Sequence, residues 1–312
     1  MSLVVLGWLL LSVIWGTTWL AVRIGLSDLP PMTFAGIRFL TAALLLFGVI
    51  RMRRLRLPRA SADWALVAQV GLLGIGVTYA AQFWGQQYVP SALASVMFAT
   101  VPLITLVIAH RRLKSEPLTA AKLSGVLAGI GGVVLIFSDQ IHVEGTLVVW
   151  ASIAFLVGAF AISYTQVSVK ARGLHIEPVV LAALQMGVGG TALFAIGLVT
   201  EGNPLAITWT VSAVASLAYL SVVGSAIAFI IFYWLLKRLQ VTRVTSVMFV
   251  HPVVAVFLGW LVLDESLGLR VLLGALVILG GLALVLRPSA PTSLRVGCSA
   301  PDVGRISLAG EA

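Results

Sequence analysis

Long apolar runs, each about the length of a bilayer crossing, fill this 312-residue chain, and the short gaps between them hold most of its charge. A helix needs ~20 apolar residues to cross the hydrocarbon core. Ten segments meet that length, at roughly 3–22, 31–50, 64–85, 91–109, 119–137, 145–169, 175–199, 210–236, 242–262 and 268–286. Turn-forming or charged stretches separate them: Asp28-Leu29-Pro30-Pro31 after the first, Arg51 to Asp63 after the second, Tyr88-Val89-Pro90-Ser91 before the fourth. Charged residues are 10% of the chain and hydrophobic ones 60%, against ~25% and ~45–50% in a soluble domain. A soluble exterior made from this composition would aggregate, and a disordered chain needs the opposite balance. The fold class expected is therefore an all-α polytopic membrane protein with ten transmembrane helices. The first run lacks a basic start and a small-x-small exit, so it is expected to remain as a span rather than be cleaved as a signal.

The formal charge is +9, but its distribution argues against nucleic acid, whose binders gather Lys and Arg on a folded polar face. With the N-terminus in the cytoplasm, 17 of the 20 Lys and Arg fall in inside gaps or the tail, leaving only Arg23, Arg38 and Arg270 elsewhere. Asp28, Asp139, Glu144, Glu201, Asp264 and Glu265 fall outside. Missing one span would swap every later gap to the other side, so the count and the orientation support each other. The expected location is the cell (inner) membrane, with both termini cytoplasmic and residues 288–312 a disordered cytoplasmic tail. Cys298 is the sole cysteine and sits in that tail, so no disulfide framework or thiol metal site is expected. No cofactor is expected either.

An internal repeat divides the chain. Ser95-Val96-Met97-Phe98, Pro102, Glu116, Gly125 and Gly131-Gly132 recur as Ser246-Val247-Met248-Phe249, Pro252, Glu265, Gly274 and Gly280-Gly281, at offsets of 149 to 151 residues. The expected domains are a first five-helix repeat over 1–138 and a second over 139–287. Five crossings per copy is odd, so the second copy runs through the membrane in the opposite sense. Such inverted repeats are a device of secondary transporters, in which exchanging the conformations of the halves exchanges the open side.

Pro102, Ser115-Glu116-Pro117-Leu118 and Gly125 to Gly132, with Asp264-Glu265-Ser266-Leu267 repeating the turn, resemble the EamA-type family of the drug/metabolite transporter superfamily. Trp15-Gly16 and Arg38-Phe39 fit the same pattern, and the likeness spans about residues 4–287. The resemblance implies two inverted five-helix repeats around a central cavity. It also implies export, or in some members exchange, of small metabolites such as amino acids. His251 before Pro252 departs from the aliphatic or small residue usual in the family, which Val101 supplies before Pro102.

Several residues stand out as candidates for solute contact. Arg38 lies about seven residues into the second span, roughly 10 Å deep at 1.5 Å per residue. A charge there is costly unless it faces water or finds partners. Two readings stand: a point charge for a substrate carboxylate, or a cap on a neighbouring helix end. Gln185 is its counterpart in the second copy. Tyr79, Gln82, Phe83 and Gln86 share one helical face, which suits either a wall for amphipathic solutes or interhelical packing. Phe229, Phe232 and Tyr233 occupy the corresponding region of the eighth span, and Trp15, Thr18 and Trp19 share a face of the first.

Pro102 and Pro252 interrupt matching spans and are hinge or gate candidates, with Met97, Thr100, Met248 and His251 beside them. A static kink relieved by Ser or Thr is the competing reading. His251 could couple a proton to transport or stay neutral on a carbonyl. Glu116 and Glu265 each follow a turn and are expected to stabilise the N-terminus of the helix they begin. Gly125, Gly129, Gly274 and Gly281 assign the fifth and tenth spans to packing.

The function expected is a secondary exporter of small metabolites, amino acids foremost, working by alternating access between the repeats. An exchanger or importer of another organic solute is the alternative. A membrane enzyme or a channel ranks below both, since the chain has no HExxH, GxSxG or Walker A motif and the repeat favours a carrier. Partners are the solute and the lipid bilayer; the oligomeric state is open. Single cysteines at Arg54→Cys and Arg112→Cys are expected to react with an impermeant thiol reagent from the same, cytoplasmic, face; labelling from opposite faces overturns the span count.

Overall fold

The computed structural model describes residues 2–88, 94, 97–138, 145–204, 207–251, 253–254 and 269–287. The described residues are helical with no strand. The segments are α1 (Leu3–Leu26), α2 (Pro31–Arg53), α3 (Ser61–Gly85), α4 (Val101–Arg112), α5 (Ala120–Phe137), α6 (Thr146–Arg172), α7 (Pro178–Thr200), α8 (Val211–Leu236), the five-residue α9 (Val241–Thr245) and α10 (Leu269–Leu286). Among described residues six, α1, α2, α3, α6, α7 and α8, are long and apolar enough to cross a membrane, while α5 and α10 hold shorter apolar stretches. Pro252, Glu265 and the tail 288–312 lie outside the described residues.

Helix ends fall where the sequence supplies a stop or a cap. Pro31 and Pro178 open α2 and α7 at a position that needs no N–H. Ser2, Thr119 and Thr210 accept amide N–H groups at the starts of α1, α5 and α8. Arg54 ends α2 in the left-handed region at φ 51°.

Three ends are tied by distant side chains instead. The Glu201 carboxylate, just past α7, accepts the amides of Met32 and Thr33 at 2.7 and 2.8 Å and so caps α2. Lys170, near the end of α6, donates Nζ to the carbonyls of Leu236 and Leu239 at 2.6 and 2.7 Å, closing the end of α8. Glu116 corrects the expectation from sequence. It is fully buried, and its carboxylate takes the amides of Val241 at 2.7 Å and Thr242 at 3.4 Å. It therefore caps α9, not the helix that follows it, where Thr119 already does that work. The carboxylate does meet a helix N-terminus, but that of α9, because the α8–α9 turn lies against the α4–α5 turn.

Two helices contain a wider spiral. Val70–Val77 in α3 and Leu220–Ile227 in α8 are π-helical, eight residues each and 150 residues apart. Such turns are rare and concentrate at functional sites. Here each faces the interior.

The main core gathers Phe34, Phe39, Phe83, Phe155 and Phe232, all fully buried or nearly so. A second cluster, with Leu106, Val126, Val133, Phe249, Ile278 and Val285, sits between α4, α5 and α10. Leu44, Trp150, Phe160, Val199 and Leu276 are exposed on the outside, an apolar exterior that suits lipid. Helices α5 and α10 approach closely. A Cβ on Gly281 would stand 2.5 Å from the Gly125 carbonyl oxygen, and one on Gly132 would stand 2.7 Å from that of Gly274. A Cβ on the adjacent Gly280 would meet nothing within 4 Å. Gly281→Ala is therefore expected to destabilise by about 1–3 kcal/mol, and Gly280→Ala to be neutral. Thermal unfolding of the purified protein in detergent checks this; equal effects would refute the helix contact.

Candidate solute site

A cavity opens where α1, α2, α3 and α6 meet the segment that follows α9. α1 and α3 each contribute residues one or two turns apart, so these parts of the wall are helix faces. From α1 come Trp15, Thr18, Trp19 and Val22; from α3 come Thr78, Tyr79 and Gln82. Arg38 enters from α2, Ile162 from α6, and Phe98, Met248 and His251 complete the lining.

Arg38 is 2% exposed. Its Nε donates to Ser225 Oγ at 2.9 Å and its Nη2 to the Gly224 carbonyl at 3.4 Å. Both acceptors belong to the π-helical stretch of α8, whose widened turns free backbone acceptors toward the interior. The guanidinium carbon also lies 4.9 Å from the Phe39 ring centre and 5.4 Å from that of Tyr79, a favourable placement for a desolvated cation. Among the described residues no carboxylate pairs with it. Arg38 thus caps a helix interruption and presents a positive charge to the cavity at once.

The apolar wall is held by edge-to-face aromatic contacts. Trp15 meets Phe229 at 5.6 Å and His251 at 6.3 Å, Trp19 meets Phe98 at 5.8 Å, and Phe39 meets Tyr79 at 4.5 Å. Two polar atoms in the wall, Trp15 Nε1 and His251 Nε2, are buried with no hydrogen-bond partner among the described residues. Buried polar atoms are nearly always paired. Both of these atoms lie in the wall of one cavity.

The structure thus gathers Trp15, Thr18, Arg38, Tyr79, Gln82, Met248 and His251 from the sequence-based candidates. Gln185, Phe229 and Tyr233 line a separate, smaller cavity. Phe83 is fully buried behind the wall, stacked edge-on against Phe34 at 5.6 Å. Met97 and Thr100 lie off the lining, with Thr100 Oγ1 turned back on the Met97 carbonyl. Pro102 is buried in the first turn of α4, where its missing N–H leaves no intrahelical bond unmade, and Ser163 Oγ donates to the neighbouring Val101 carbonyl at 3.2 Å. Val22, Thr78, Phe98 and Ile162 have no place among the sequence-based candidates. Phe98 closes the repeated Ser-Val-Met-Phe tetrapeptide, which was a signal; Ile162 is an ordinary aliphatic in an apolar helix and carried none.

Comparison with known proteins places this arrangement in context. The model of the EamA-like transporter family matches residues 2–138 and 149–287. The chain is 30% identical over 285 residues to the uncharacterized transporter YoaV of Bacillus subtilis, covering 89% of this chain and 95% of that protein. It is 32% identical over 253 residues to the uncharacterized inner membrane transporter YedA of Escherichia coli, covering 80% and 79%. A solved crystal structure superposes with a TM-score of 0.76 at 19% identity, covering 90% of this chain and 97% of its own, which establishes a shared fold.

The unpaired indole gives a direct test. Trp8 Nε1 donates to the Arg243 carbonyl at 3.0 Å, whereas Trp15 Nε1 has no acceptor. An unsatisfied buried donor costs about 1–3 kcal/mol, which offsets the packing lost on shrinking the ring. Trp15→Phe is expected to keep the unfolding midpoint near that of the parent, and Trp8→Phe to lower it. A larger loss at Trp15 would mean that its N–H is bonded within the protein.

Proposed function

Because this chain belongs to the EamA-like transporter family, we propose that it is a secondary active exporter of small organic metabolites, amino acids foremost, that works by alternating access. The observation that carries the reading is the Arg38 cavity: a single buried cation, an aromatic wall and two unpaired polar atoms inside a bundle with an apolar exterior. A carboxylate offers the acceptors that Arg38 and Trp15 Nε1 call for, and the rings hold an apolar body.

The ten-span, inverted-repeat architecture is part of the same proposal. The recurring tetrapeptide and glycines support it, as do π-helical stretches of equal length 150 residues apart in α3 and α8. In the first copy the stretch leads to Tyr79; in the second it holds Arg38. Two interrupted helices facing one cavity from related halves are what a rocking carrier needs, since each can close the site from its own side. Export rather than uptake, residence in the cell membrane with both termini cytoplasmic, and the absence of enzymatic chemistry belong to the proposal as well. His251 in the wall is the residue at which proton coupling would act.

The test is a metabolite comparison of cells with and without overexpression, inside and in the medium, repeated with two variants. A bond from a buried cation to a carboxylate is worth about 1.5–3 kcal/mol, or about 10–100-fold in affinity. Arg38→Ala is expected to reduce export of carboxylated solutes by that order. Ser225→Ala, which removes an Arg38 acceptor but leaves the charge, is expected to retain most export. Full export by a well-expressed Arg38→Ala protein would remove the carboxylate reading.

A further inference from the structure

A second, much narrower cavity lies beside the first. Ile162, itself 6% exposed, is the one residue that lines both among those described. The new chamber begins one helical turn further along α6, at Thr165 and Gln166, and one turn back along α3, at Gly74. Four residues of α-helix rise about 6 Å, so the two chambers stand about one turn apart.

Its polar groups are unusual. Tyr233 donates its hydroxyl to Gln185 Oε1 at 2.5 Å. That bond occupies the oxygen of the Gln185 amide and, among the described residues, leaves its Nε2 without a partner. Gln166 Oε1 is likewise buried and unpartnered. Gln185 is 1% exposed and Gln166 5%, and both line the chamber. One unpaired donor and one unpaired acceptor therefore share a small space whose other described walls are Val70, Gly74 and the rings of Phe229 and Phe232. Neither a cation nor a carboxylate stands among that described lining. A charged group there would be desolvated without a counter-ion, at heavy cost. A neutral group that both donates and accepts would satisfy both amides.

We propose that this chamber is a specificity subsite for the far end of the transported solute, taking a carboxamide or hydroxyl between Gln166 Oε1 and Gln185 Nε2. The inference rests on the carrier reading: the solute's carboxylate sits by Arg38, and its side chain passes Ile162 to reach the amides. Buried groups that stay unpaired unless a matching solute arrives discriminate against analogues lacking the group, more strongly than an apolar pocket can.

The test is counterflow in proteoliposomes of the purified full-length protein, using labelled glutamine against methionine and tyrosine against phenylalanine. Each pair shares length or ring and differs in the neutral polar end. The parent protein is expected to prefer glutamine and tyrosine. Gln166→Leu is expected to lower the glutamine-to-methionine ratio by about tenfold, the size of one lost hydrogen bond to a buried group, with methionine exchange kept. Gln166→Met serves as a second, unbranched replacement should the leucine variant fold poorly. Ile162→Phe, which enlarges the shared wall residue without touching either amide, is expected to lower the same ratio. A parent protein that exchanges these solutes with no such preference, or a ratio unmoved by the Gln166 replacements, overturns the subsite while leaving the carrier reading intact. An unmoved ratio in Ile162→Phe overturns the passage past Ile162. No counterflow of any of the four solutes by the parent overturns the proposed solute class and the subsite together.

Discussion

Hydrocarbon gives a polar group nothing to bond, and that prohibition shapes this chain more than any single contact. Backbone amides solve it by coiling into helices. Each helix end then leaves up to four bare donors or acceptors, and the chain closes several of them by reaching across the fold. Glu116 caps α9 from the α4–α5 turn, Glu201 caps α2 from the end of α7, and Lys170 closes α8 from α6. These bonds join segments 66 to 169 residues apart. Satisfying helix ends and fixing which helices are neighbours are, in this protein, one act.

The same prohibition explains the cavity. A π-helical stretch widens the spiral and weakens the neat closure of its own ladder. In α8 the freed carbonyl of Gly224 and the hydroxyl of Ser225 would be orphans, and Arg38 supplies what they lack. In α3 the Thr78 hydroxyl reaches the carbonyls of Leu73 and Gly158, at 3.0 and 3.2 Å. Both interruptions are thus stabilised by side chains that also line the solute space.

Much of this was legible in the sequence because it depends on periodicity and on rarity. Apolar runs locate the helices α1 to α3 and α6 to α8 to within a few residues, and a lone Arg or a Tyr-x-x-Gln pair in such a run is conspicuous. Arg38, Tyr79, Gln82, Trp15 and Thr18 therefore surface at once and do meet in one cavity. Depth along a helix, however, is only half of a position. Gln185, Phe229 and Tyr233 lie at depths that suit a shared pocket, yet they line another chamber, which shares only Ile162 with the first among the described residues. Phe83 shares the α3 face with Tyr79 and is shut behind it by Phe34 and Tyr79 itself. Rotation about the helix axis by a few tens of degrees decides such cases, and it is set by neighbours that no spacing rule names. The target of Glu116 was hidden for the same reason: a carboxylate after a turn announces an N-terminus nearby, not whose.

Arg38 also removes a choice that sequence reasoning poses too sharply. A charge inside a span is weighed as either structural or functional, as though one bond excluded the other. A guanidinium has five N–H donors in a planar fork. Here Nε and Nη2 serve Ser225 and Gly224, while Nη1 has no acceptor among the described residues. The bonds to α8 are what hold the group rigid, and a rigid donor loses less entropy when an anion docks than a free one does. The structural role therefore serves the proposed binding role. Any account of this cavity that treats the π-helical stretch of α8 as scaffold and Arg38 as ligand-binding machinery divides a single device in two.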